Sequence, residues 1–93
     1  MPPEESVQSV SQLFGYVQRV NVLAREMTLL VQGMPWVFDV PNDCRIYLNR
    51  AQVKLRFLQA MDRALVEYRQ TPDGLVAQAI RVGEAVGIPP SGS

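Results

Sequence analysis

Met27, Met34, Trp36 and Cys44 are the residues of this 93-residue chain that could together form a soft-metal donor set. Thioether and thiolate sulfur suit Cu(I), and a cation held over an indole face gains further attraction, so such a set could carry copper. It holds no imidazole, because the chain has no histidine. The plainer roles are core packing for Met27 and Trp36 and a turn position for Met34. Catalysis has less behind it. Without histidine a nucleophile would need Lys54, the sole lysine, or a carboxylate as its base, and neither stands at motif spacing from a serine. Asp39, Asp43 and Asp62 read as solvated or turn-capping residues. Cys44 has only Arg45 beside it to lower its pKa, which suits a small packed residue better than a reactive thiol. The chain is therefore expected to be non-catalytic and to hold no cofactor.

Two further groups of residues concern binding. Tyr16, Arg19, Arg45, Tyr47 and Arg50 are aromatic and basic side chains of the kind that hold single-stranded nucleic acid on a barrel face. The chain carries nine basic and nine acidic residues, and this zero net charge argues against a nucleic-acid partner. Leu30, Val37 and Leu65 are apolar residues expected to point outward. A protein partner or self-association would cover them, and so would the chain's own terminal segments.

The elements that must position these residues are read from periodicity. Glu26 to Val40, EMTLLVQGMPWVFDV, has Met27, Leu29 and Val31 alternating with Thr28, Leu30 and Gln32. After Gly33 and Pro35, Trp36, Phe38 and Val40 alternate with Val37 and Asp39. Period two on both sides of a Gly/Pro break predicts a hairpin with strands at about 26–32 and 36–40, the turn being Gln32-Gly33-Met34-Pro35. Upstream, Val7, Val10, Leu13 and Phe14 recur at helical spacing, so a short helix is expected there, ended by Gly15. Tyr16 to Val22 reads as the first strand, with a bulge where the Val17 to Val20 spacing breaks alternation. Pro41-Asn42-Asp43 is a turn, Cys44 to Leu48 a strand, and Asn49-Arg50 another turn. From Val53 to Tyr68 one continuous helix competes with a short helix near 52–60 followed by a strand near 63–69, and the second is adopted. Thr71-Pro72-Asp73-Gly74 turns into a last strand over Leu75 to Val82.

The expected domain plan is a flexible or helical lead at 1–12, a β-barrel at 13–83 and a flexible tail at 84–93. One domain of this length has room for one core, expected to contain Val17, Val20, Met27, Leu29, Val31, Trp36, Phe38, Val40, Ile46, Leu48, Leu58, Val66, Tyr68 and Ile80. A single cysteine excludes an internal disulfide. No stretch reaches the ~18 consecutive apolar residues of a membrane span, and Met1-Pro-Pro-Glu-Glu is acidic where an export signal is basic.

The spacing Gly15-x-Val17-x-x-Val20-Asn21, Met27-Thr28-Leu29, Gly33, Phe38-x-Val40, Ile46-x-Leu48-Asn49, Leu55-x-x-Leu58, Asp62-x-Ala64-x-Val66-x-Tyr68, Gly74 and Ala79-Ile80-Arg81-Val82 resembles a bacterial small β-barrel domain of unknown function, OB-like in shape. Such domains usually carry Pro-Gly before the aspartate, where this chain has Ala60-Met61. The resemblance implies a mainly β fold, a five- or six-stranded antiparallel OB-like barrel with one or two short helices. It also suggests the bacterial cell envelope, with a signal peptide absent from this chain. More distantly the chain resembles the CusF-like periplasmic copper-binding barrels, whose methionines, histidine and tryptophan lid lie on the second and third strands; Met34 and Trp36 sit in the corresponding hairpin. The expected function is a non-catalytic protein-interaction or structural module. The alternatives are Cu(I) binding of the CusF kind and single-stranded nucleic-acid binding.

Overall fold

In a computed structural model, which describes residues 11–83, the chain forms one continuous seven-stranded sheet. The strands are β1 (Ser11–Asn21), β2 (Glu26–Val31), β3 (Met34–Asp39), β4 (Arg45–Leu48), β5 (Ala51–Gln52), β6 (Arg63–Thr71) and β7 (Gly74–Val82). Their order is β3-β2-β1-β6-β7-β4-β5, and the sheet closes where β3 pairs in parallel with β7 through Phe38–Leu75 and Asp39–Val76. β1, β2, β3, β7 and β6 make the closed ring, so this is a mainly β, OB-like barrel. β4 runs parallel to the second half of β7, and β5 turns back along β4.

Turn chemistry fixes the β2–β3 hairpin. Gln32 and Gly33 have φ of 51° and 82°, the two positive values that a two-residue loop matching strand twist requires. Val31 then faces Met34, so the turn is shorter than the four residues expected and Met34 and Pro35 belong to β3. In such a hairpin the alternate residues Met34, Trp36 and Phe38 bond back to β2. Pro35 and Val37 turn their backbones to the other side, where β3 has an open edge before it reaches β7. A proline fits that edge, since it has no N–H to satisfy there.

β1 serves two neighbours. Ser11 to Tyr16 pair with β6, and Tyr16 to Asn21 pair with β2, with a register shift between Val17 and Arg19. The expected bulge is thus present, and it bends the strand from one neighbour toward the other. Gly15 lies within the strand, where a Cβ would run into the Leu30 carbonyl. It does not stop a helix: Leu13 and Phe14 are strand residues, and Val7 and Val10 lie outside the described residues, as do most of the lead and all of the tail at 84–93.

Between β5 and β6 the expected short helix is reduced to a single 3-10 turn, Leu55–Phe57, the only helix among the described residues. Leu55 and Leu58, three apart, are both buried, and a 3-10 turn of three residues delivers that spacing. β6 as a nine-residue strand excludes the continuous helix over 53–68. At Thr71–Gly74 the Asp73 N–H donates to Thr71 Oγ1 (3.2 Å) and the Thr71 hydroxyl donates to the Gly74 carbonyl (3.0 Å), locking the turn.

Inside the ring Val17, Met27, Leu29, Phe38, Val40, Ile46, Leu58, Val66 and Ile80 are buried as expected. Val20, Val31, Trp36, Leu48 and Tyr68 pack against this core while partly exposed. Cys44, Leu55, Ala64, Ala77 and Val82 complete it. The Phe38 and Tyr68 rings meet edge to face at 5.2 Å, a geometry that adds to plain area burial. No helix among the described residues is long and apolar enough to cross a membrane.

Candidate functional site

The soft-metal set is dispersed by the hairpin that was to assemble it. Met27 is fully buried and lies opposite Phe38, whereas Met34 lies opposite Val31 beside the turn. Phe38 lies four strand steps from Met34, ~13 Å at the usual rise, so the two thioethers lie too far apart to share one ion. Met34 and Trp36 do share a face of β3, Met34 being 62% exposed and Trp36 half-buried. Trp36 has the inward parity of a core residue but sits at the rim.

Cys44 lies past the other end of β3. It lines a pocket of about 300 Å³ with Arg25, Asn42, Gln52 and Lys54. Burial pushes its thiol up to about 11, with smaller opposing effects from Arg25 and Arg45 and a small raising one from Asp43. Thiolate chemistry near neutral pH is therefore disfavoured at this position. Arg25 is already engaged. Its Nε–H donates to the Val40 carbonyl (2.9 Å) and its Nη2 to the Pro41 carbonyl (3.1 Å), tying the β1–β2 turn to the β3–β4 junction.

The aspartates do not converge. Asp39 ends β3, Asp43 lies in the turn before β4, and Asp62 accepts the Gln59 N–H at 2.9 Å, the turn-capping role expected of it. Among the described residues no three of His, Cys, Asp and Glu are grouped to hold a metal. The nucleic-acid candidates also separate: Tyr16 and Arg19 lie on β1 and Arg45 and Tyr47 on β4, with β6 and β7 between. Arg81 lies 5.7 Å over the Tyr47 ring and is also paired with Glu67 at 2.7 Å.

What the fold does assemble is an outer face. Cross-strand partners place Arg63, Tyr16, Leu30 and Pro35 in one row across β6, β1, β2 and β3. Arg19, Thr28 and Val37 form the next row, and Asn21, Glu26 and Asp39 the row after. Phe14 extends the apolar part: it pairs with Leu65, and its ring lies 6.2 Å from that of Tyr16. Tyr16, in the middle of its row, is 41% exposed, and Val37, at the open β3 edge of the next, is 52% exposed. Leu30, Val37 and Leu65 do point outward as read from parity. Phe14 and Pro35 were assigned to a helix and a turn, so their part in this face emerged only once both proved to be strand residues.

No protein-family model and no curated protein matches the sequence. Solved structures do. A silver-bound CusF aligns with a TM-score of 0.66 at 13% identity, covering 81% of this chain and 99% of that one. Apo-CusF from Escherichia coli, residues 6–88, aligns with a TM-score of 0.67 at 13% identity, covering 88% and 96%. The fold is that of CusF. Silver-bound CusF from Escherichia coli, residues 10–88, gives 0.67 at 14% identity over 85% and 98%. The TM-scores and near-complete coverage of the CusF chains agree with the distant likeness drawn from the sequence, and at this identity the likeness concerns the fold.

Proposed function

We propose that this barrel is a non-catalytic binding module whose working surface is the outer face of β6, β1, β2 and β3. The observation that carries this reading is the contiguous apolar patch formed by Phe14, Tyr16, Leu30, Pro35 and Val37, in which Tyr16, Pro35 and Val37 are exposed and Phe14 and Leu30 half-buried. An exposed patch of this kind, rimmed by charges, marks a contact surface more often than a bare one. The test is a photo-crosslinking amino acid placed at Val37 in the host cell, with one at the exposed Arg69 as control. A discrete protein adduct at Val37 and none at Arg69 is the expected result; no adduct at Val37, or the same pattern at both, would contradict the reading.

The second reading is soft-metal binding, favoured by the CusF-like fold together with Met34 and Trp36 on one face beside the turn. It stands behind the first because Met27 and Cys44 lie elsewhere and the chain offers no imidazole. A stoichiometric response of Trp36 emission to silver is its test.

A further inference from the structure

The outer face is not only apolar; its charges are sorted. Arg63 flanks the apolar patch on the β6 side, and Arg19 sits in its middle row on β1. Glu26 and Asp39 close the patch at the far ends of β2 and β3, side by side as cross-strand partners. Among the described residues the one ion pair is Arg81–Glu67, so these four charges have no partner within the barrel. A polyanion laid along this face would meet Glu26 and Asp39, which speaks against nucleic acid. A surface with a basic corner, an apolar centre and an acidic corner is complementary to itself once one copy is turned over.

We propose that the occupant of this face is a second copy of the same chain, forming a two-fold dimer. The proposal rests on the binding-module reading above and names its partner. In a two-fold contact the same patch is used on both sides, so a residue facing a given position is itself faced by it. An axis lying in the contact plane and running diagonally across the three rows brings Arg63 of one copy over Asp39 of the other. The same operation sets Tyr16 over Val37 and Arg19 toward Glu26, with Thr28 and Pro35 near the axis. Apolar thus meets apolar while both charge pairs are matched. The zero net charge of the chain adds no repulsion between copies. The contact is face to face, because Pro35 has no N–H to offer along the open edge of β3 and a ladder of two β3 edges would lose a hydrogen bond there.

The test is sedimentation equilibrium on the purified full chain, with charge swaps. The native chain is expected at twice its 10.4 kDa mass at micromolar concentration. Because every pair occurs twice, Arg63→Asp or Asp39→Arg alone should weaken association by ~10-fold or more, and the double variant should return to within about 3-fold of the native value. Val37→Glu, at an exposed position, should give a folded monomer. A native chain that stays monomeric to ~100 times micromolar concentration, or a double variant no better than the single ones, overturns the dimer. A monomer that still gives a Val37 crosslink to another protein would retain the binding face while removing the second copy as its partner.

Discussion

Replacing Gly15 with alanine should be among the most damaging single-methyl additions to this barrel. The new Cβ would overlap the Leu30 carbonyl oxygen and come within 3.0 Å of the Leu30 carbonyl carbon and 3.1 Å of Val31 Cγ2. Two of those atoms are backbone, so no rotamer change relieves the contact. β1 cannot retreat either, since it is hydrogen-bonded to β6 on one side and β2 on the other around this residue. Overpacking a filled site typically costs about 1–3 kcal/mol, and a backbone clash held from both sides belongs at the upper end, ~3 kcal/mol. For a domain of this size each kcal/mol moves Tm by roughly 4–8 °C, so Gly15→Ala should melt ~12–24 °C below the parent. Thermal unfolding followed by far-UV circular dichroism measures it. Gly33→Ala is the control: nothing lies within 4 Å of a Cβ there and only its φ of 82° is unfavourable, so about 1 kcal/mol is expected. A Gly15 variant melting within ~4 °C of the parent would show that the β1–β2 approach is looser than described.

Met61 has φ of 78° and is 75% exposed, so its side chain adds strain with little packing in return. Met61→Gly should raise stability by ~0.5–1 kcal/mol in a denaturant titration, and a loss would refute the strain. Trp36→Ala removes a ring that is only partly buried, so about 1.5–3 kcal/mol is expected, against ~0.5 kcal/mol or less for the outward Val37→Ala; equal losses would place Trp36 on the wrong face. Burial holds the Cys44 thiol protonated up to about 11 in the folded state, above its ordinary value of 9.0. The unfolded chain therefore loses that proton first as pH rises. The stability from this group is complete below pH 9 and lost progressively between 9 and 11, so native stability should fall faster over that interval than in Cys44→Ala; parallel curves would contradict it.

Much of the barrel was legible because its inner and outer faces differ in polarity. Met27 and Phe38 alternate with the polar Thr28 and Asp39, and the hairpin and core follow from that period even though Leu30 and Val37 are apolar on the outer side. The bulge after Val17 showed as a slipped period, and Thr71 to Gly74 as turn chemistry. The first half of β1 was misread for a physical reason: Leu13 packs on the core while Phe14 packs outside against its β6 partner Leu65, so adjacent residues are both apolar. Strand parity is then lost, and Val7, Val10, Leu13 and Phe14 imitate a helical stripe. Ala60-Met61 hid a turn in the same way, because a methionine at positive φ carries no composition signal where glycine would. How the sulfur candidates are placed was not legible: sulfur chemistry is visible in sequence, but the separation of Met27, opposite Phe38, from Met34, opposite Val31, depends on which residues the turn leaves paired.

This barrel shares the CusF fold, and we propose that it works through its outer face rather than through a metal centre in its β2–β3 hairpin. Titrating the full chain with Ag(I), or anaerobically with Cu(I), while following the emission of Trp36, the only tryptophan, tests it most directly. An ion held against the indole by Met34 would quench it with a break at one equivalent. The account predicts a flat or gradually drifting signal, identical in Met34→Ala. A saturating quench at one equivalent that Met34→Ala abolishes would contradict it and move the functional site from the outer face to the hairpin.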